Sequence, residues 1–207
     1  MARPEILARF IRSWEGGFVD SLYDKGGPTM MGVTLGTFRT IFGSKMGVDE
    51  LKHLTDAQWW TVFYDNFWKP CKADDINCQA IANLIVDWCW GSGQRVIYKV
   101  QRVLNERFEA ALKTDCIFGA KTLAAINGAE PSALFAALWK ERKLHFERIA
   151  SIDHSQRRYL GGWLNRLNSI RYDRLLLNKY RKKGMLRYRR IVKWPDGQII
   201  EGWELDS

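Results

Sequence analysis

Glu15, Asp24 and Thr29 share one short segment of this 207-residue chain, Trp14-Glu15-Gly16-Gly17-Phe18-Val19-Asp20-Ser21-Leu22-Tyr23-Asp24-Lys25-Gly26-Gly27-Pro28-Thr29-Met30-Met31-Gly32-Val33-Thr34. Glu15 stands where an apolar-faced helix runs out, Asp24 follows nine residues later and Thr29 five after that. A segment so rich in Gly and turn residues can double back, which would bring Glu15, Asp24 and Thr29 to one cleft. Two carboxyls on a cleft suit the cleavage of a glycosidic bond. One must hold a proton and give it to the leaving oxygen. The other, ionised, orients or activates water or supports the oxocarbenium-like transition state. The C-terminal end of a helix disfavours nearby negative charge, and an apolar neighbour such as Trp14 does the same, so position 15 suits an acid that must keep its proton. The spacing is also what a solvated helix-terminal Glu and a turn Asp would give.

The elements around this segment read as helices. Pro4 suits a first helical position, and Ile6, Leu7, Phe10, Ile11 and Trp14 share one helical face before Gly16-Gly17 stops it. Thr34 is an N-cap candidate for a short helix ending at Gly43. Thr55-Asp56-Ala57-Gln58 is a capping box ahead of Trp59, Trp60, Phe63 and Phe67. Residues 77–90 carry Ile81, Leu84, Ile85 and Trp88 at helical spacing, and Gly91-Ser92-Gly93 marks the best boundary in the chain. Further helices are expected around Val96–Leu104, from Pro131 to Ile149, and from His154 to Leu177. Only the end changes period: Ile191-Val192-Lys193-Trp194, then Pro195-Asp196-Gly197, then Gln198-Ile199-Ile200 reads as a β-hairpin. The expected fold class is mainly α.

Composition narrows the partners. The formal net charge of +9 is uneven, because residues 151–207 hold 13 Lys and Arg against 6 Asp and Glu. A polyanion is the natural partner for such a surface, whether nucleic acid, acidic membrane or acidic wall glycan. No apolar run is long enough to cross a bilayer. Glu5, Arg9 and Arg12 break up any signal-peptide core, so cytosolic synthesis is expected. The four cysteines, at 71, 78, 89 and 116, fit no zinc spacing and no dense disulfide framework, and buried free thiols are the simplest reading. His53, His145 and His154 lack metal-ligand spacing, and Gly16-Gly17 and Gly26-Gly27 are not nucleotide loops, so neither metal nor cofactor is expected.

The Glu15 segment resembles the signature of glycoside hydrolase family 108, the bacterial and phage N-acetylmuramidases. Glu15-Gly16-Gly17-Phe18-Val19, Asp24-Lys25-Gly26-Gly27-Pro28-Thr29 and Gly32-Val33-Thr34 follow that pattern in order and spacing, with Met30 where Asn is frequent. Downstream, Asp87-Trp88-Cys89-Trp90-Gly91-Ser92-Gly93, Gln101-Arg102-Val103-Leu104 and Asp115–Thr122 resemble the family's helical peptidoglycan-binding region, with Cys116 at a common Gly position. Gly161-Gly162-Trp163-Leu164-Asn165-Arg166 resembles the G-W-L-N-R element near its end. The resemblance covers about residues 3–177. It implies a lysozyme-like helical fold, hydrolysis of the β-1,4 bond between N-acetylmuramic acid and N-acetylglucosamine, and Glu15 as the catalytic acid. Asp24 and Thr29 stand beside it as further catalytic candidates, and Trp14, Phe18 and Tyr23 as walls of a sugar groove.

The expected division is a catalytic region over 1–93, a helical peptidoglycan-binding-like region over 94–180, and a basic tail with the hairpin over 181–207. The enzyme would reach the wall by a holin, an exporter or lysis. Tyr180-Arg181-Lys182-Lys183 and Arg187-Tyr188-Arg189-Arg190 mix rings with cations, but no helix-turn-helix, zinc-finger or RNP pattern accompanies them, so peptidoglycan is the expected partner and nucleic acid is not. The competing reading is a non-catalytic wall-binding or secretion-associated module. Against it, Glu15, Asp24 and Thr29 are all present.

Overall fold

A computed structural model describes residues 1–20, 26–183, 186–194 and 200–205. Helix α1 (Pro4–Trp14) starts on its proline and buries Ile6, Leu7, Phe10 and Ile11. Its backbone leaves the helix at Glu15, whose N–H still bonds the Ile11 carbonyl at 3.0 Å while its own dihedrals are extended. A small hairpin follows, β1 (Thr29–Met30) against β2 (Val33–Thr34), with Val19 pairing Thr29 on the other side. Its two connecting residues, Met31 and Gly32, both have positive φ, the geometry a two-residue hairpin turn demands. Thr34 then caps α2 (Leu35–Phe42), accepting from the Thr37 N–H at 3.2 Å. After α3 (Val48–Lys52), the Thr55/Gln58 capping box opens α4 (Asp56–Phe63) as its spacing requires.

Helix α5 (Gln79–Ser92) is the axis of the molecule. Every residue from Ala80 to Cys89 is buried, including Asn83 and Asp87. A helix covered on all sides reads as apolar all round, and this one does apart from those two side chains. Around it lie α6 (Ile97–Phe108), α7 (Ala120–Gly128), α8 (Pro131–Ile152) and α9 (Arg157–Asn168). Most of the buried apolar side chains form one cluster, running from Ala2 to Val192.

The C-terminal part departs from the sequence expectation. Helix α9 stops at Asn168, and the stretch read as helical to Leu177 becomes strand from Arg174. Three strands, β3 (Arg174–Lys183), β4 (Leu186–Lys193) and β5 (Ile200–Leu205), pair antiparallel in that order. The expected hairpin is β4 with β5, Lys193 opposite Ile200, and its tip lies outside the described residues. Three consecutive leucines, 175–177, carry no period that separates strand from helix; here all three are buried where β3 lies along α1. The Trp14 indole N–H donates to the Leu176 carbonyl at 3.3 Å, and the Asn178 N–H donates to Ser13 Oγ at 3.0 Å. Strand β4 is therefore tied into the fold rather than part of a tail: Ile191 and Val192 belong to the interior.

Candidate active site

Glu15 sits where α1, the β1–β2 turn, α5 and α9 converge. Its Oε1 accepts two hydrogen bonds, one from the Trp90 indole at 2.9 Å and one from Arg166 Nη1 at 2.7 Å. Its Oε2 has no hydrogen-bond partner among the described residues. The side chain is 18% exposed, so the carboxyl is reachable but mostly shielded. One oxygen is clamped and the other is available.

Trp90 occupies an aromatic nest. Its ring lies 5.4 Å from Trp59, 4.9 Å from Phe67 and 6.3 Å from Phe63, centre to centre. Such contacts hold the indole so that its N–H points at the carboxylate. Trp59 in turn donates to the Met31 carbonyl at 3.0 Å, which ties the hairpin turn to the same nest. Gly32, next in that turn, presses against Glu15. A Cβ there would lie 2.7 Å from Glu15 Cδ and 2.9 Å from both Oε2 and Trp90 Cζ2, and its φ of +79° is a conformation other residues adopt at a cost. The Gly of the Gly32-Val33-Thr34 motif is thus required twice, for the turn and for the space it leaves the acid.

Behind Glu15 runs a chain of charges. Arg166 spreads its fork between two carboxylates, Nη1 on Glu15 and Nη2 on Asp87 at 2.7 Å, with Nε also on Asp87 at 3.1 Å. Asp87 Oδ2 also receives Arg142 Nη2 at 2.8 Å. Asp87 is fully buried and Arg142 only 2% exposed. Burial by itself pushes the Asp87 carboxyl up, but the Arg166 and Arg142 guanidiniums outweigh it and hold the group below the ordinary carboxylate value. Burial likewise opposes the Arg166 charge, yet the Asp87 and Glu15 carboxylates raise its pKa above that of an ordinary guanidinium. Two cations thus meet two anions, Glu15 being the outermost.

Of the other residues singled out by sequence, Asp24 and Tyr23 lie outside the described residues. Thr29 pairs with Val19 through both backbone groups, and its hydroxyl donates to the Gly27 carbonyl at 2.8 Å, so it holds the hairpin's shape. Trp14 is half-buried with its N–H spent on β3, and Phe18 is half-buried with the Lys52 ammonium 5.2 Å from its ring. Sequence reasoning gave no role to Trp90, Asp87, Arg142 or Arg166. A signal existed for one of them: Leu138, Arg142 and Phe146 fall at i, i+4 and i+8, which places an arginine on the buried face of α8. Among the described residues no cluster of His, Cys, Asp and Glu could hold a metal ion, and no helix is long and apolar enough to cross a membrane.

The model of the family described as Glycosyl hydrolase 108 matches residues 8–93, the span holding Glu15, Gly32, Asp87 and Trp90. Over those residues the chain is similar to the glycosyl hydrolase 108 family. A second family model, described as Predicted Peptidoglycan domain, matches residues 95–168, which include Arg142 and Arg166. The fold is similar to that of Brucella abortus SagA, at 26% identity and a TM-score of 0.69, over 81% of this chain and 92% of that one. No curated protein matched the chain. Together these likenesses support a glycoside hydrolase joined to a peptidoglycan-binding region, with peptidoglycan as the substrate class.

Proposed function

We propose that the protein is an N-acetylmuramidase, cleaving the β-1,4 bond between N-acetylmuramic acid and N-acetylglucosamine with Glu15 as general acid. The observation that carries this reading is the asymmetry of the Glu15 carboxyl, with Oε1 held by Trp90 and Arg166 and Oε2 facing Gly32. A protonated Oε2 donates to the glycosidic oxygen as the bond to the anomeric carbon lengthens. As the proton leaves, negative charge grows on a carboxylate that already has a guanidinium at 2.7 Å, so the site favours the charge as it develops. Asp24 is assigned the complementary task of orienting water or steadying the oxocarbenium-like sugar, and Thr29 that of holding the hairpin beside Glu15.

The decisive experiment is mass spectrometry of the products from purified peptidoglycan. Fragments with muramic acid at the reducing end are the expected result, and cleaved peptide stems with intact glycan would overturn the reading. Glu15→Gln keeps the shape of the side chain but removes its proton, and turnover should fall by at least about a hundredfold. Equal clearing of a wall suspension by the variant would remove Glu15 from the mechanism.

A further inference from the structure

We infer that Arg166 is a positioning residue for Glu15, so that the peptidoglycan region supplies a working part of the active site carried by the hydrolase region. The inference rests on the reading of Glu15 as the general acid. Arg166 lies 151 residues from Glu15 in the chain, within the segment matched by the peptidoglycan model. Its guanidinium is rigid in two directions at once, because a planar fork bonded through Nη2 and Nε to a buried carboxylate cannot turn without breaking those bonds. That carboxylate, Asp87, is itself pinned by Arg142. The direction in which Nη1 points at Glu15 is therefore set by α5, α8 and α9 together.

A purely structural ion pair would look different. Asp87 already has a buried cation in Arg142 at 2.8 Å, so its charge is matched without Arg166. Arg166 adds the link outward, to the carboxyl of the proposed acid. Among the described residues, the charged groups facing that carboxyl are Arg166 from α9, with Asp87 from α5 and Arg142 from α8 behind it, while Arg12 of α1 is engaged with Asp56 and the Trp59 ring. With Glu15 protonated this set carries one net positive charge, and with Glu15 ionised it carries none. The cation therefore steadies the carboxylate charge that develops as the acid gives up its proton.

The test uses the full chain and soluble glycan fragments of peptidoglycan. Arg166→Ala leaves the Asp87–Arg142 pair in place. Its kcat is expected to fall by tenfold or more, of the order expected when a reacting group is misplaced by about 1 Å. Its KM for the glycan fragments should change little, because what is lost is the position of the acid. Millimolar guanidinium ion should restore part of the rate, and sedimentation with intact peptidoglycan should be unchanged. A folded Arg166→Ala protein with wild-type kcat would overturn the inference, whether its sedimentation is kept or lost. If that variant does not fold, Arg166→Lys carries the test, since it keeps the charge but not the fork. Its kcat should drop, and a wild-type kcat there overturns the inference. Full activity in Glu15→Gln would defeat the muramidase reading of that residue instead, so the two failures are distinguishable.

Discussion

Gly32 makes the most specific statement available at the scale of single residues. Gly32→Ala places a methyl group within 3 Å of both Glu15 and Trp90 while holding a backbone angle that costs an L-residue about 1–2 kcal/mol. We expect a modest drop in Tm and a much larger loss of turnover, because the cheapest relief is to push the acid out of place; a variant with wild-type turnover would contradict this packing. His145 offers a second residue-level expectation. Burial, reinforced by the Lys99 ammonium, lowers its pKa to about 4, and its ring lies 5.7 Å from Trp88. The folded protein then binds this proton less readily than the unfolded chain, whose His titrates near 6.5. The sign follows: stability from the neutral ring is complete above about pH 6.5 and declines as pH falls toward 4. His145→Gln should flatten that part of the Tm profile, and an unchanged profile would remove His145 as its cause. At this scale much was legible. Glu15 stood out by its place at a helix end and its motif, and Gly32 stood in the same motif without a role of its own. Trp90 and Arg166 stood in motifs too, but nothing local announces that an indole and a guanidinium far apart in sequence will share one oxygen.

Secondary structure was legible wherever a period or a cap was present. Pro4, Thr34 and the Thr55/Gln58 box begin helices as their chemistry requires, and α5 reads as a fully buried helix. The failure lies in residues 169–190. A triple leucine followed by alternating rings and cations has no helical face to betray it. What makes it a strand is the shelf that α1 offers, which no local pattern encodes. This alters what truncation should do. A basic tail would be dispensable, whereas removing residues 181–207 deletes β4 and β5 and exposes the surface that Ile191 and Val192 cover. We expect a lower Tm and faster proteolysis within β3. A truncated protein melting with the full chain would show that β3 and α1 need no further support.

For the molecule as a whole, the pair of Asp87 and Arg142 joins α5 to α8 in the deepest part of the core. Removing one partner of such a pair leaves a buried charge uncompensated, typically at about 3–5 kcal/mol. Asp87→Asn should lower stability on that scale near neutral pH. The pH dependence has a definite sign, because a carboxyl held below its ordinary value stabilises the fold at pH above about 4 and loses that contribution as pH falls through the folded value. The gap between wild type and Asp87→Asn, followed by chemical denaturation, should therefore narrow on acidification. A gap that stays constant from neutral pH down to pH 3 would assign the loss to packing instead.

The contact between Glu15 and Arg166 also fixes a timetable. It closes a loop of 151 residues, and contacts of such separation form only after the intervening chain is organised. A ribosome that has released the first half of the chain has made the acid, its glycine and its indole, but not the guanidinium that reaches them. On this account the hydrolase is silent while it is being synthesised. In a refolding experiment, helical signal should recover first and wall-degrading activity in the last phase to finish.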